Sequence, residues 1–388
     1  MNGIRILADD LTGALDSAAA FSGGVPVYLD VPESDASAPF PVSAVATGTR
    51  DVALEALPGL LASSLPWLGD AALAFKKVDS LLRGNSFAEI AYAARAAGFR
   101  KIVFAPAYPQ QGRVTVDGRQ WVIAPGASFA QRKAVGAGTP ADAFAVLGLE
   151  VAAADAAPGD RLSVWIPEVR CDDDLARVAA LSMADDTRRW LWCGSAGLAH
   201  AIAAVHGRAP DASSLGLLDS SPGPVLLVSA SHHPVVHQQW GLLKATERGA
   251  IMALHGQPTR LRAAFRAMGQ PFDVALFDLS PTRVLAPPEA ASLLARQLDQ
   301  IVGAAPQPAA LVVVGGDTLR ALCRAAGVRA LTAHPAVRAG WGCARFDGGR
   351  WDGVPCYSRS GAFGDPDDLS TMLRQIARHA ATRKEPAT

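Results

Sequence analysis

The chain has 388 residues, half of them hydrophobic and 19% charged, with 36 basic residues balancing 36 acidic ones. That length exceeds one ordinary core and predicts two domains, while balanced charge without a basic stripe excludes nucleic acid as the main partner. No apolar run approaches the roughly 18 residues of a membrane span. The start lacks a signal peptide's basic and apolar regions, and five scattered cysteines without a CxxC pair suit the reduced thiols of a cytoplasmic protein.

In chain order, "GIRILADD" reads as a buried strand and "TGALDSAAAFSGG" as a helix closed by glycines. Strands "VPVYLD" and "VSAVATGTR", a helix around "LEALPGLLASSL" and the strand "AALAFKKVDS" follow. The helix "SFAEIAYAARAAG" leads to the strand "KIVFAPAY", and "GRVTVDGRQWV" alternates with period two around Asp117-Gly118, a hairpin that interrupts the series. "RLSVWIPEV" and "RWLWCGS" are further strands, followed by the helices "DDDLARVAALS" and "SAGLAHAIAAVHG". After a Gly-, Pro- and Ser-rich stretch a second series begins with "VLLVSAS", "GAIMALHG", "DVALFDLS" and "AALVVVGGD", ending in a hairpin and a terminal helix near Asp365 to Asp368. Alternating strands and helices predict an α/β protein: two domains, each a mostly parallel sheet flanked by helices, with an active-site cleft between them. The boundaries fall at 1–206, a linker at 207–224, and 225–388.

Parallel sheets bind ligands at the carboxyl ends of their strands, so polar residues there are the candidates. Asp9 and Asp10 end the first strand, Thr12-Gly13 opens the next helix, and Asp16 lies inside it. One aspartate suffices as a cap, and the others exceed what capping needs. "KKVDSLLRGN" gathers Lys76, Lys77, Asp79, Ser80, Arg83 and Asn85, with Arg83 suited to grip a carboxylate. "APAYPQQGRVTVDGRQWV" adds Tyr108, Gln110, Gln111, Arg113 and Asp117, and the whole inventory suits an anionic, hydroxylated small molecule. Gly315, Gly316, Asp317 and Thr318 follow a buried strand and open a helix, where backbone amides meet phosphate; an ordinary tight turn is the alternative. Ser229 and Ser231 suit nucleotide contacts, and the loop "YSRSGAFGD" suits a phosphate or base. His232, His233 and His237 lack a third metal ligand of suitable spacing. Neither a P-loop nor a strand-borne GxGxxG occurs.

Taken together, "LADDLTGALDSA", "TGTR", "KKVDSLLRGN", "PAYPQQGRVTVDGRQWV", "CGSAGLA", "VSASHHPVVHQQ", "VVVGGDTL" and "SRSGAFGDPDDL" resemble, in order, the motifs of the four-carbon acid sugar kinase family. The resemblance runs from the first strand to the last helix. It implies an N-terminal sugar-acid domain, a C-terminal nucleotide domain, and use of ATP with Mg²⁺. Carried over by position, Asp10, Asp79, Arg83, Arg113 and Asp117 fall in the substrate-side motifs. Ser229, Ser231, Gly315 to Thr318, Gly361 and Gly364 fall in the nucleotide-side motifs.

Phosphoryl transfer requires alignment, charge shielding and a proton acceptor. The expected catalytic residues are Asp10, Arg83 and the rival base Asp117. Asp9, Thr12, Lys77, Asp79, Ser80, Arg83, Tyr108 and Arg113 are the expected substrate contacts. The expected partners are a sugar acid and ATP, and a homodimer is the symmetry default. A non-catalytic two-lobed binding or sensor protein is the alternative, and an isomerising or other phosphate-transferring enzyme a third. This chain departs from the family pattern in four places. Asp317 replaces a glutamate, Arg359 replaces a lysine, "RAGWGCARF" lacks a proline, and "APGASFAQRKAVGAGTPADAF" replaces the segment after Val122.

Overall fold

The computed structural model describes residues 3–33, 40–152, 161–211, 217–246, 251–252, 258–268, 273–281, 283–335, 340–361 and 364–382. Residues 212–216 of the expected linker and most of the "GAIMALHG" strand lie outside these. The chain divides into two compact units, Met1–Asp211 and Ala212–Thr388.

In the first unit, β1 (Ile4–Ala8) runs fully buried into α1 (Leu11–Ala18), followed by β2 (Val25–Tyr28) and β3 (Val42–Ala46). The helix expected over "LEALPGLLASSL" is broken into a 3-10 turn (Leu54–Ala56), α2 (Leu57–Leu61) and α3 (Ser64–Gly69). Pro58 sits in the first turn of α2 and Pro66 in that of α3. A proline has no N–H to continue a helix and is tolerated at its start, so the segment restarts twice. Then come β4 (Leu73–Lys77), α4 (Ser86–Ala96) and β5 (Lys101–Ala105). Next are β6 (Arg113–Val116), β7 (Arg119–Val122), β8 (Lys133–Ala134), α5 (Pro140–Val146) and β9 (Glu150–Val151). The unit closes with β10 (Ser163–Trp165), α6 (Asp172–Ala180), β11 (Trp190–Gly194) and α7 (Ala196–Val205). Its main sheet is entirely parallel, in the order β2-β3-β1-β4-β11-β5-β10-β9.

Strands buried on both faces explain why β1, β4, β5 and β11 are mostly apolar without alternation, with Arg5, Lys76, Lys77 and Lys101 as the charged exceptions. Phe87, Phe104 and Phe144 tie α4, β5 and α5 together, with ring centroids 5.0–5.4 Å apart. The expected hairpin exists as β6 and β7, and β8, from the segment that departs from the family pattern, extends it to three antiparallel strands. Arg132 of that segment stacks 4.4 Å from the Trp121 ring, so the replacement rests on the hairpin.

The second unit comprises β12 (Val225–Ser229), α8 (Pro234–Thr246), β13 (Ile251–Met252), α9 (Pro258–Ala267), β14 (Val274–Asp278) and α10 (Pro287–Ala304). It continues through β15 (Ala310–Val314), α11 (Gly316–Ala326), β16 (Ala330–His334), β17 (Gly342–Asp347), β18 (Pro355–Arg359) and α12 (Asp368–Thr382). Strands β13-β14-β12-β15-β18 are parallel, and β17 and β16 continue the edge antiparallel, giving the hairpin expected near the end. Among the described residues no helix is long and apolar enough to cross a membrane.

Candidate active site

Asp10 is the N-cap of α1, and its Oδ1 accepts the Gly13 N–H at 2.8 Å. Its Oδ2 accepts the Thr12 hydroxyl at 2.7 Å and Arg50 Nη1 at 2.8 Å. The same guanidinium forks onto Asp9 through Nε at 2.7 Å and Nη2 at 3.0 Å. Asp9 is 1% exposed and Asp10 15%, so Asp9 is the interior anchor and Asp10 is the aspartate that faces outward. Burial works against charge on Asp9, but Arg50, Lys76 and Lys77 outweigh it and hold its carboxyl below the ordinary carboxylate range. Arg50 responds in kind: against its burial, Asp10 and Asp9 lift its pKa above the ordinary value.

Arg50 is a residue to which the sequence assigned no role, although "TGTR" was among the matching motifs. Its loop is locked from the other side. Asn85 Nδ2 donates to Thr49 O at 3.3 Å and Val52 O at 2.8 Å, and the Asn85 N–H donates to Arg50 O at 3.2 Å. Gly84 has φ +75°, and a Cβ there would stand 2.6 Å from Arg50 O; only glycine permits that turn and that approach.

Asp79 organises the next loop. Its Oδ2 accepts the Leu81 and Arg83 N–H groups, each at 3.2 Å. Arg83 grips it with Nε at 2.8 Å and Nη2 at 2.7 Å. The two-pronged grip expected of Arg83 on a substrate carboxylate is thus made on Asp79, within the protein. Burial favours the neutral acid, but Arg83, Lys77 and Arg50 hold Asp79 down to about 2. Ser80 is buried, and its carbonyl accepts Gln120 Nε2 at 3.1 Å, while Gln120 Oε1 accepts the Thr115 hydroxyl at 2.7 Å. The hairpin therefore buttresses the Lys-Val-Asp-Ser loop through Gln120, a second residue that lies in a matching motif yet was assigned no role, because an interior glutamine on a strand does not announce its partner.

Lys77 is the unusual member. It is 5% exposed, and its Nζ lies 2.8 Å from where a Cβ on Gly13 would stand. Asp9, Asp16 and Asp79 all feel its charge. Yet among the described residues no carboxylate lies within ion-pair distance of it and no acceptor takes a hydrogen bond from it. A largely buried lysine whose ammonium lacks a protein partner is a ready site for an anionic ligand. Asp16 is half-buried on α1; burial lifts its carboxyl above the ordinary value, with Lys77 and His200 opposing and Asp10 adding to the shift.

Tyr108 and Arg113 pair as an antiparallel bridge where β5 leads into β6. Tyr108 is buried, its ring centroid 6.3 Å from that of His200. Arg113 donates to Gln111 O and interacts with Asp79 and Arg83 through its charge. Asp117 lies apart from these groups. It turns the hairpin at φ +52° followed by Gly118 at +66°, and both backbone N–H groups donate to Glu168 at 3.0 Å. Its side chain is exposed and makes no hydrogen bond or ion pair among the described residues, so the left-handed turn accounts for an aspartate there.

In the second unit the matching positions lie at the carboxyl ends of three neighbouring parallel strands, β12, β15 and β18. Ser229 Oγ accepts the Ser231 N–H at 3.2 Å, and Ser280 Oγ donates to Ser231 O at 3.2 Å. Gly315 caps α11 at φ +106° and donates to Arg359 O at 2.9 Å. A Cβ on Gly361 would lie 2.4 Å from Ser231 Oγ, so the three strand ends meet in contact. Thr318 is buried and Asp317 is exposed in the first turn of α11, whose leading N–H groups have no intrahelical acceptor and suit phosphate oxygens.

Arg359, the replacement for lysine, is 2% exposed. It bonds Asp368 at 3.2 Å and Gln239, and a Cβ on Gly364 would collide with it. It therefore ties the end of β18 to α8 and α12. Among the described residues no group of three or more His, Cys, Asp or Glu is arranged to hold a metal, His232, His233 and His237 included. Mg²⁺ bound with a nucleotide relies on one or two carboxylates plus phosphate oxygens, and Asp317 beside the α11 amides fits that demand.

Comparison with known proteins agrees with this division. Residues 4–138 match the model of a sugar-binding N-terminal domain, and residues 272–369 that of a nucleotide-binding C-terminal domain. The chain is 30% identical to a D-threonate kinase of Bordetella bronchiseptica over 98% of this chain and 99% of that protein. It is 29% identical to a D-threonate kinase of Cupriavidus necator over 92% and 94%. A solved Haemophilus influenzae protein of the DUF1537 family shares the fold at 15% identity, with a TM-score of 0.67 over 96% of this chain and all of that one. The two-unit α/β architecture, the sugar-binding and nucleotide-binding domain matches and the D-threonate kinase relatives together support a sugar-acid kinase. The chain belongs to the four-carbon acid sugar kinase family.

Proposed function

We propose that the chain phosphorylates a hydroxyl of a small four-carbon sugar acid with ATP, D-threonate being the first candidate because both full-length relatives above carry that name. The observation that carries the reading is Lys77: a largely buried side chain in the sugar-binding half whose ammonium has no ion-pair or hydrogen-bond partner among the described residues and is open to a substrate carboxylate. Arg83 Nη1 and Arg113 supply further positive charge at the same loop. Asp10 is the proton acceptor of this reading. Three of its roughly four lone-pair directions are filled by Gly13, Thr12 and Arg50, which leaves one for a substrate hydroxyl and keeps the carboxylate oriented. Asp9 acts through Arg50 to hold Asp10 in place. Asp117, fixed at an exposed turn, is set aside as base.

In the second unit, the α11 amides, Thr318, Ser229 and Ser231 would hold the nucleotide, with Gly361 and Gly364 leaving room beside Ser231 and Arg359. Mg²⁺, when bound with the nucleotide, shields phosphate charge, and Asp317 would hold it.

The test is ADP release by the purified chain with Mg-ATP across D-threonate, its stereoisomers and branched four-carbon acids. Turnover on one acid, lost in Asp10→Asn by about a hundredfold or more in kcat with a smaller change in KM, is the expected result. No turnover on any acid, together with no ATP-dependent rise in melting temperature, would refute the kinase reading in favour of a sensor.

A further inference from the structure

Behind the opening aspartates lies an ion pair that the reaction as drawn does not use. Lys76 Nζ meets Glu89 Oε2 at 2.8 Å, and both side chains are 0% exposed. Lys76 Nζ also donates to Lys77 O at 3.2 Å, while none of the described residues donates a further hydrogen bond to Glu89. The surroundings are apolar: Leu7 and Cys193 flank Lys76 on the neighbouring strands, and Ile90, Phe104 and Leu191 belong to the same core. A fully desolvated pair with so few supporting hydrogen bonds is matched or bettered in stability by apolar residues of similar volume. Stability alone therefore gives no reason for it.

Its position does. The Lys77 carbonyl that Lys76 holds is the last of β4, level with Ala8 of β1, and Asp9 is the next residue on that strand. The ammonium thus sits under the strand ends from which both Asp9 and the Lys-Val-Asp-Ser loop emerge. The charged groups acting on Asp9 are Arg50, Lys76 and Lys77; those acting on Lys76 are Glu89 and Asp9, with the neutral Cys193 thiol beside it. Burial opposes charge on Lys76, but Glu89 and Asp9 outweigh it and keep the ammonium protonated.

We infer that Lys76, held by Glu89, is a positioning residue of the sugar-acid site: its ammonium beneath the strand ends supports the fork of Arg50 between Asp9 and Asp10, and it fixes the Lys77 carbonyl so that Lys77 is presented to the substrate carboxylate. The inference rests on the proposed function only for its kinetic readout.

Two variants test it. K76M/E89L removes both charges with apolar side chains of similar length. It is expected to fold with kcat down about tenfold, an unchanged KM for ATP, and the acid limb of kcat/KM moved up by about one pH unit because Asp9 loses a cation. E89Q removes the counter-charge that helps keep Lys76 protonated, so its limb is expected to move the same way by a smaller amount. A packing defect alone does not move the limb in that graded order. Acid limbs coinciding with wild type in the variants that fold would overturn the proposal, and so would failure of both to fold, which assigns the pair to core stability. Should the wild type turn over no sugar acid, the functional reading falls. The Asp9 carboxyl titration followed by ¹³C NMR then decides: a higher midpoint in K76M/E89L supports the positioning role, and an unchanged one overturns it.

Discussion

At the scale of residues, the site is a set of carboxylates arranged around cations of unequal freedom. Arg50 and Arg83 are committed to Asp9, Asp10 and Asp79, whereas Lys77 has no direct partner among the described residues. Gly13 shows how tight the arrangement is: a Cβ there would fall 2.3 Å from Asp10 Oδ1 and 2.8 Å from Lys77 Nζ. Gly13→Ala is therefore expected to lower kcat/KM for the acid by about a hundredfold while leaving ATP binding, measured by calorimetry, unchanged. Asp79 gives a pH signature. Its folded pKa, about 2 against an ordinary 3.8, is depressed, so its contribution is present above pH 4 and is lost as pH falls from about 4 toward 2. That contribution is at most about 2 kcal/mol, reduced because the Arg83 side chain is 41% exposed and screened. Urea titrations of Asp79→Asn should show the loss at pH 7 and a smaller difference from wild type at pH 3.

At the scale of elements, loops are positioned by residues distant in sequence, and this limited what could be read beforehand. The strand ends, a cap from one of the opening aspartates and the hairpin turn at Asp117-Gly118 follow from short-range rules and were legible. Three features were not. The break between α2 and α3 depends on where two prolines restart a helix. The Arg50 fork joins residues 40 positions apart. Gln120 matters only because the hairpin folds back onto Ser80. At Asp117 the sequence offered both a rival base and a hairpin turn, and the structure shows the left-handed turn. Gly84→Ala, at φ +75° against Arg50 O, is expected to cost about 2 kcal/mol or more and to displace Arg50, read as a lower denaturant midpoint together with weaker acid binding. Gln120→Leu, which leaves the hairpin strands paired, should raise the acid KM more than it lowers stability.

At the scale of the whole molecule, alternating strands and helices fixed the fold class, and motifs spread from first strand to last helix fixed the family; the substrate depends on pocket geometry that such spacing does not encode. The central claim is that Lys77 binds the substrate's carboxylate. The most direct measurement compares turnover on D-threonate and on threitol, its uncharged analogue with a hydroxymethyl group in place of the carboxylate, for wild type and Lys77→Met. The account predicts that wild type favours the acid strongly. It also predicts that Lys77→Met raises the acid KM by roughly a hundredfold, about 3 kcal/mol, and erases the preference. A Lys77→Met enzyme that keeps the wild-type KM and still rejects threitol would contradict it.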